Sequence, residues 1–124
     1  MATRSTIALE YDDGSIRQIY CHWDGYLQGV GKILLEHYSS PEKVEELLNL
    51  GDMSSIASTI DDSTFYGRDY AEKFSSYEEY KNFNENLQEY NYIMRNGVWF
   101  VYINPHDSIM LNERLSDLIG GAEE

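Results

Sequence analysis

The chain has 124 residues, of which 42% are hydrophobic and 14% aromatic. That is enough for one folded domain with a modest core and too apolar for a disordered chain. Its 22 acidic residues against nine basic ones give a formal net charge of −13, a balance that repels nucleic acid and anionic membrane and favours basic partners. The excess is spread out: nine acids against four bases in residues 1–60, eight against three in 61–89, and five against two in 90–124. It therefore belongs to the folded body and not to an acidic tail. One cysteine excludes an internal disulfide. The apolar stretch after Met-Ala-Thr-Arg-Ser-Thr is too short for a signal peptide, and no run approaches the roughly 18 apolar residues of a membrane helix. The expectation is a cytoplasmic protein.

Residues 6–11 and 16–22 are rich in β-formers, and Asp12-Asp13-Gly14-Ser15 between them predicts a hairpin. Ile7, Leu9 and Tyr11 share one face of the first strand, with Ala8 and Glu10 on the other. The second strand is apolar on both faces, which predicts a central position. Asp24 then stands where a helix N-cap belongs. Tyr26, Val30, Ile33, Leu34 and His37 follow at helical spacing as one stripe. Gly29 and Gly31 inside that stripe each cost roughly 1 kcal/mol relative to alanine, which points either to close backbone packing on the sheet or to an irregular first turn.

Ser40-Pro41-Glu42 is a strong helix start, Val44, Leu47 and Leu48 make an apolar face, and Gly51 is a natural C-terminal cap. Residues 52–74 have no clear period: Met53–Ile56 and Ser58–Ile60 fit either a helical turn or a short strand, and Thr64–Asp69 either a strand or a loop. Ser76 with Glu79 forms a capping box for a helix through residue 89, with Tyr80, Phe83 and Leu87 inward. Asn96-Gly97 between the β-rich runs 90–95 and 98–103 predicts a hairpin with a two-residue type I′ turn. A short helix is expected around residues 112–119. The sum is a single α+β domain over residues 1–124, with an antiparallel sheet built from two β-hairpins (about 6–22 and 90–103) and three to four helices packed on it.

The residues able to carry chemistry are few. His22-x-Asp24 at a strand end has the geometry to share a metal or to act as base and orienter, but a metal needs a third ligand and His37 and His106 have no diagnostic spacing to the pair. Asp24 is accounted for as a cap. Cys21 shares a face with Ile19 and Trp23, where a buried small residue is expected, and no catalytic signature surrounds it. Gly25, Gly29 and Gly31 match neither a dinucleotide fingerprint nor a P-loop. Arg68 after Tyr66-Gly67 has the chemistry to bind a carboxylate or phosphate, against which stands an internal pair with one of the many acids. Basic patches interleaved with aromatics, the footprint of direct nucleic-acid binding, are missing.

The acids remain. Glu42, Glu45 and Glu46 line one predicted helix, Glu78, Glu79, Glu85 and Glu89 another, and Asp61, Asp62 and Asp69 lie between. Carboxylates at i, i+3, i+4 and i+7 make regularly spaced negative rows, which imitate a phosphate backbone and match a basic nucleic-acid groove. A solvated face is the plainer account of the same rows.

The stretches Ile19-Tyr-Cys-His-Trp-Asp-Gly-Tyr26, Val30-Gly-Lys-Ile-Leu-Leu-Glu-His-Tyr38, Leu50-Gly-Asp-Met-Ser-Ser55 and Tyr66-Gly-Arg-Asp69, with the aromatic run Val98–Tyr102, resemble a family of small proteins from bacteriophages and bacteria. The resemblance carries over no functional residues. It implies a setting of phage or mobile-element accessory genes, in which small acidic proteins act as inhibitors of host defence. Two functions are therefore expected. The first is a non-enzymatic DNA mimic without cofactor or metal, binding a basic, nucleic-acid-binding host enzyme such as a CRISPR effector or a restriction-type nuclease. The second is a small-ligand or nucleotide-binding protein with a pocket around His22, Trp23, Asp24, Tyr26 and Arg68. A homodimer through a sheet edge is a further possibility.

Overall fold

The computed structural model describes residues 3–67, 71–84, 90–103 and 111–114. Strands β1 (Ser5–Glu10) and β2 (Ile16–Cys21) pair antiparallel from Ser5 opposite Cys21 to Glu10 opposite Ile16. The turn between them is closed by Asp13, whose carboxylate accepts from the Ser15 backbone N–H (2.9 Å) and hydroxyl (2.6 Å). Strands β6 (Tyr90–Arg95) and β7 (Val98–Ile103) pair likewise, with Asn96 and Gly97 at φ 54° and 78°. Both central residues are left-handed, the conformation a type I′ turn requires and Asn-Gly tolerates best.

These strands do not make a purely antiparallel sheet. β1 runs parallel to β6, Ser5 opposite Tyr90 through Leu9 opposite Met94, and β2 runs parallel to the short β3 (Met53–Ser55) at Cys21 opposite Met53. Parallel neighbours need a long crossover, and the chain between β2 and β6 supplies one through its helices. The sheet is therefore mixed and mostly antiparallel, in the order β4-β3-β2-β1-β6-β7-β8, with β5 also paired to β2. Here β4 is Thr64–Phe65, β5 is Glu72–Phe74 and β8 is Leu111–Arg114.

Strand β8 replaces the start of the helix expected at 112–119, while residues 115–119 lie outside those described. It pairs antiparallel with β7, Ile103 opposite Leu111 and Phe100 opposite Arg114. The free N–H and C=O groups along the outer edge of β7 offer these residues ladder bonds, and that tertiary partner outweighs local helical preference.

Three helices are described: α1 (Lys32–His37), α2 (Pro41–Leu50) and α3 (Tyr77–Asn84). For α2, Ser40 Oγ accepts from Lys43 N (3.4 Å), Pro41 occupies the first turn, and Gly51 follows at φ 87°. For α3, Ser76 Oγ accepts from Glu79 N (3.2 Å), and Glu79 reaches back to the Ser75 N–H (2.8 Å) instead of that of Ser76. The box is thus reciprocal with a shift of one residue.

Alternation along β1 splits the core. Ile7 and Leu9 join Ile19, Cys21, Val30, Leu34, Val44, Leu47, Leu48, Tyr92, Trp99 and Val101 under α1 and α2. Ala8 points the other way and joins Ile16, Phe74, Tyr80 and Ile93 under α3. Because neighbouring strand residues face opposite sides, α2 and α3 lie on opposite faces of the sheet. Tyr80 is buried as its spacing predicts, but Phe83 is 45% exposed, stacked at a tilt on Phe74 at 5.2 Å between ring centroids. It rims the small second cluster instead of filling it, and Leu87 lies outside the described residues. No described helix is long and apolar enough to cross a membrane.

Candidate functional site

The turn that leaves β2 differs from its sequence reading. Asp24 does not cap a helix: it sits at φ 59°, and its backbone carbonyl accepts from Val30 N at 2.7 Å. Residues Leu27–Gly31 form a π-type turn that leads into α1, and no side chain caps either segment. A β-carbon at Gly29 would collide with the Asp24 carbonyl oxygen, so glycine is required by this turn's own tight closure and not by packing on the sheet. The Asp24 carboxylate accepts from the Tyr26 hydroxyl at 3.3 Å. Distant partners fix the same place, with Gly25 N donating to Thr3 O (2.7 Å) and the Tyr92 hydroxyl to Gly25 O (2.6 Å). Local capping chemistry was outweighed by this closure from 67 residues away.

Beside the turn, His22 Nδ1 and the Tyr20 hydroxyl are hydrogen-bonded at 2.7 Å, and the His22 ring meets Trp23 edge-on at 4.7 Å. Trp23 and Tyr26 are 45% and 43% exposed. The four share one turn, and none of them lines either of the two clefts described below. Arg68, their expected companion, lies outside the described residues. Cys21 is fully buried, and that burial pushes its thiol up to about 12, the reverse of an activated thiolate. Among the described residues no three His, Cys, Asp or Glu side chains come together as metal ligands.

The acids divide between the two faces. Glu42, Glu45 and Glu46 are on α2, and Glu78 and Glu79 on α3 across the sheet. Asp61 and Asp62 are exposed in the turn before β4, while Asp69, Glu85 and Glu89 lie outside the described residues. Asp61 does approach α2: with Glu46, Lys43, Tyr38 and Ile60 it lines a shallow depression of about 200 Å³. A larger open cleft of about 740 Å³ lies at the other end of α2, lined by Leu9, Glu10, Tyr11, Asp12, Pro41, Glu42, Glu45, Asn96 and Gly97.

Two of that cleft's carboxylates are already engaged. Arg17 Nη1 donates to Glu45 Oε2 (3.2 Å), and its Nη2 to Asn49 Oδ1 (3.2 Å). The Tyr11 hydroxyl also donates to Glu45, and burial, then the Glu45 bond, raise the Tyr11 pKa against the opposing effect of Arg17. Arg95 Nε donates to Glu10 Oε1 (3.0 Å). Glu42 and Asp12 are exposed and bring two further carboxylates to the cleft. Asp12 was missed as a companion of α2, and Glu10, which also lines the cleft, turns its carboxylate to Arg95, whose guanidinium lies over Tyr77 of α3. Alternation assigns Glu10 to the opposite side from Tyr11, and only the fold shows the strand end and its turn meeting the first turn of α2.

No family model matches the chain, and comparison with curated proteins and with solved structures finds no significant match.

Proposed function

We propose that this chain is a non-enzymatic inhibitor that sets its acidic α2 side into the basic nucleic-acid-binding surface of a host defence enzyme, as a DNA mimic. One observation carries the reading: Glu42 and Glu46 on α2, Asp12 from the first hairpin turn and Asp61 before β4 are gathered on one side of the sheet, on a helix seated over the larger core cluster. Rows of fixed carboxylates substitute for phosphates without ordering a flexible tail on binding. The α3 acids Glu78 and Glu79 face away from that surface, so one partner groove engages the α2 side and leaves them in solvent. The fitting target is a basic protein of the bacterial cytoplasm, a CRISPR effector or a restriction-type nuclease, in keeping with the phage-protein resemblance.

The test is affinity capture from host lysate at low and high salt, followed by a nucleic-acid-binding assay on the captured enzyme. Capture is expected to fall steeply as salt screens the contact. Glu42→Lys with Glu46→Lys should abolish inhibition, and Glu78→Lys with Glu79→Gln should leave it intact. Inhibition that survives the α2 reversal would disprove the reading.

A further inference from the structure

The turn after β2 presents two large rings and one carboxylate outward from a backbone that has little freedom. Trp23 N donates to Ser54 O (3.0 Å), Gly25 is bonded on both its N–H and C=O sides, and Asp24 is held left-handed by the Val30 N–H. Trp23 and Tyr26 are nonetheless among the most exposed large apolar side chains described. Asp24 is the one charged residue between His22 and Gly31, and among the described residues only Tyr26 bonds its carboxylate. Arg4, near this turn, faces the Tyr20 hydroxyl.

We propose that the Trp23–Tyr26 turn is a docking platform for an arginine side chain of a protein partner. Aromatic faces carry negative potential and attract a guanidinium, which stacks flat where a lysine ammonium does not. The Asp24 carboxylate, which reaches the Tyr26 hydroxyl, adds a charge-assisted hydrogen bond. Anionic ligands are disfavoured by Asp24 and by the chain's overall −13. A rigid turn also lowers the ordering cost that exposed side chains impose on binding. The proposal rests on the basic-partner reading above only for the source of the arginine.

The test titrates a blocked Gly-Arg-Gly-Arg-Gly peptide, and its lysine counterpart, into the protein while following tryptophan fluorescence and ¹H–¹⁵N spectra. Trp99 is 3% exposed with its Nε1 bonded to Tyr38 O, so a ligand-induced change reports on Trp23. The arginine peptide should shift the Trp23 indole resonance saturably and more strongly than the lysine peptide. Asp24→Asn keeps the left-handed turn, which asparagine tolerates, and should weaken binding about two- to fivefold, as should Trp23→Leu. The unchanged Trp99 signal checks that each variant is folded, and Glu42→Gln should leave the titration at the turn unaltered. Shifts confined to α2, or an Asp24→Asn variant that binds as well as the parent, would overturn the platform. Saturable arginine binding at the turn with no enzyme captured would instead remove the inhibitor reading and leave the platform standing.

Discussion

Among the described residues, the two faces of the sheet carry apolar layers of different depth. The first face seats α1 and α2 on a continuous apolar layer from Ile7 to Val101, tied by buried polar links such as Trp99 Nε1 to Tyr38 O (2.8 Å). The second face, among the described residues, seats α3 on Ala8, Ile16, Phe74, Tyr80 and Ile93, with Phe83 at its rim. Helices α2 and α3 are each also held by an arginine rising from a strand. Arg17 reaches the Glu45 carboxylate of α2, whereas the Arg95 guanidinium lies 4.2 Å over the Tyr77 ring of α3. Among the described residues, carboxylates on α2 are displayed from the deeper apolar layer, and those on α3 from a thinner one.

Core truncation should separate the faces most strongly. Leu47→Ala removes a fully buried side chain and should cost about 3 kcal/mol, while Phe83→Ala should cost below about 1 kcal/mol because the ring is half in water. Equal shifts in urea midpoint would break the comparison. Next, Tyr92→Phe leaves the Gly25 carbonyl buried without its 2.6 Å donor and should cost about 1–3 kcal/mol. Amide exchange should show the loss concentrated around residues 24–31 on the first-face side.

Stability should also depend on pH through Cys21. The Cys21 thiol is raised by burial from 9.0 to about 12 in the folded protein. Folded Cys21 therefore holds its proton where the unfolded chain releases it. Its contribution is fully present below pH 9 and lost as pH rises from 9 towards 12, by about 1.4 kcal/mol per pH unit. Urea titrations across that window measure the slope, and a thiol reagent at pH 8 should label Cys21 only after unfolding. The smallest effect is expected at the two arginines: Arg17→Met and Arg95→Met should each cost about 0.5–1 kcal/mol. High salt should shrink the first more than the second, since the Glu45 side chain paired with Arg17 is 40% exposed whereas the Glu10 side chain paired with Arg95 is 18% exposed.

Legibility followed the range of the interaction. Asn96-Gly97 and Ser40-Pro41 encode their turn and helix start within a few residues, and both elements were placed closely from sequence. The alternation of Ile7, Ala8 and Leu9 gave two faces correctly but not which helix covers which, so acids on α2 and α3 read as one surface although the sheet separates them. Strand β5 was missed because Glu72-Lys73-Phe74 has no pattern of its own and becomes a strand by pairing with Ile16–Gln18. Asp24 was misread for the same reason: a good capping residue is overruled by Thr3, Val30 and Tyr92. Of the candidate sites, the α2 carboxylates were visible as helical spacing, whereas the contribution of Asp12 and Glu10 to their cleft depended on the fold.

The parallel seam between β1 and β6 has a consequence for how the chain reaches its native state. Its buried side-chain bond, Thr6 Oγ1 to Asn91 Oδ1 at 2.8 Å, joins residues 85 apart, and β1 has no partner on that side until Tyr90–Met94 arrives. Both hairpins pair residues close in sequence, whereas the seam is a long-range contact of the kind that slows folding. During synthesis the β1–β2 hairpin therefore waits, with the N–H and C=O groups of its β1 edge unpaired, while about 70 further residues are made, an interval in which strand addition by another chain competes with the seam.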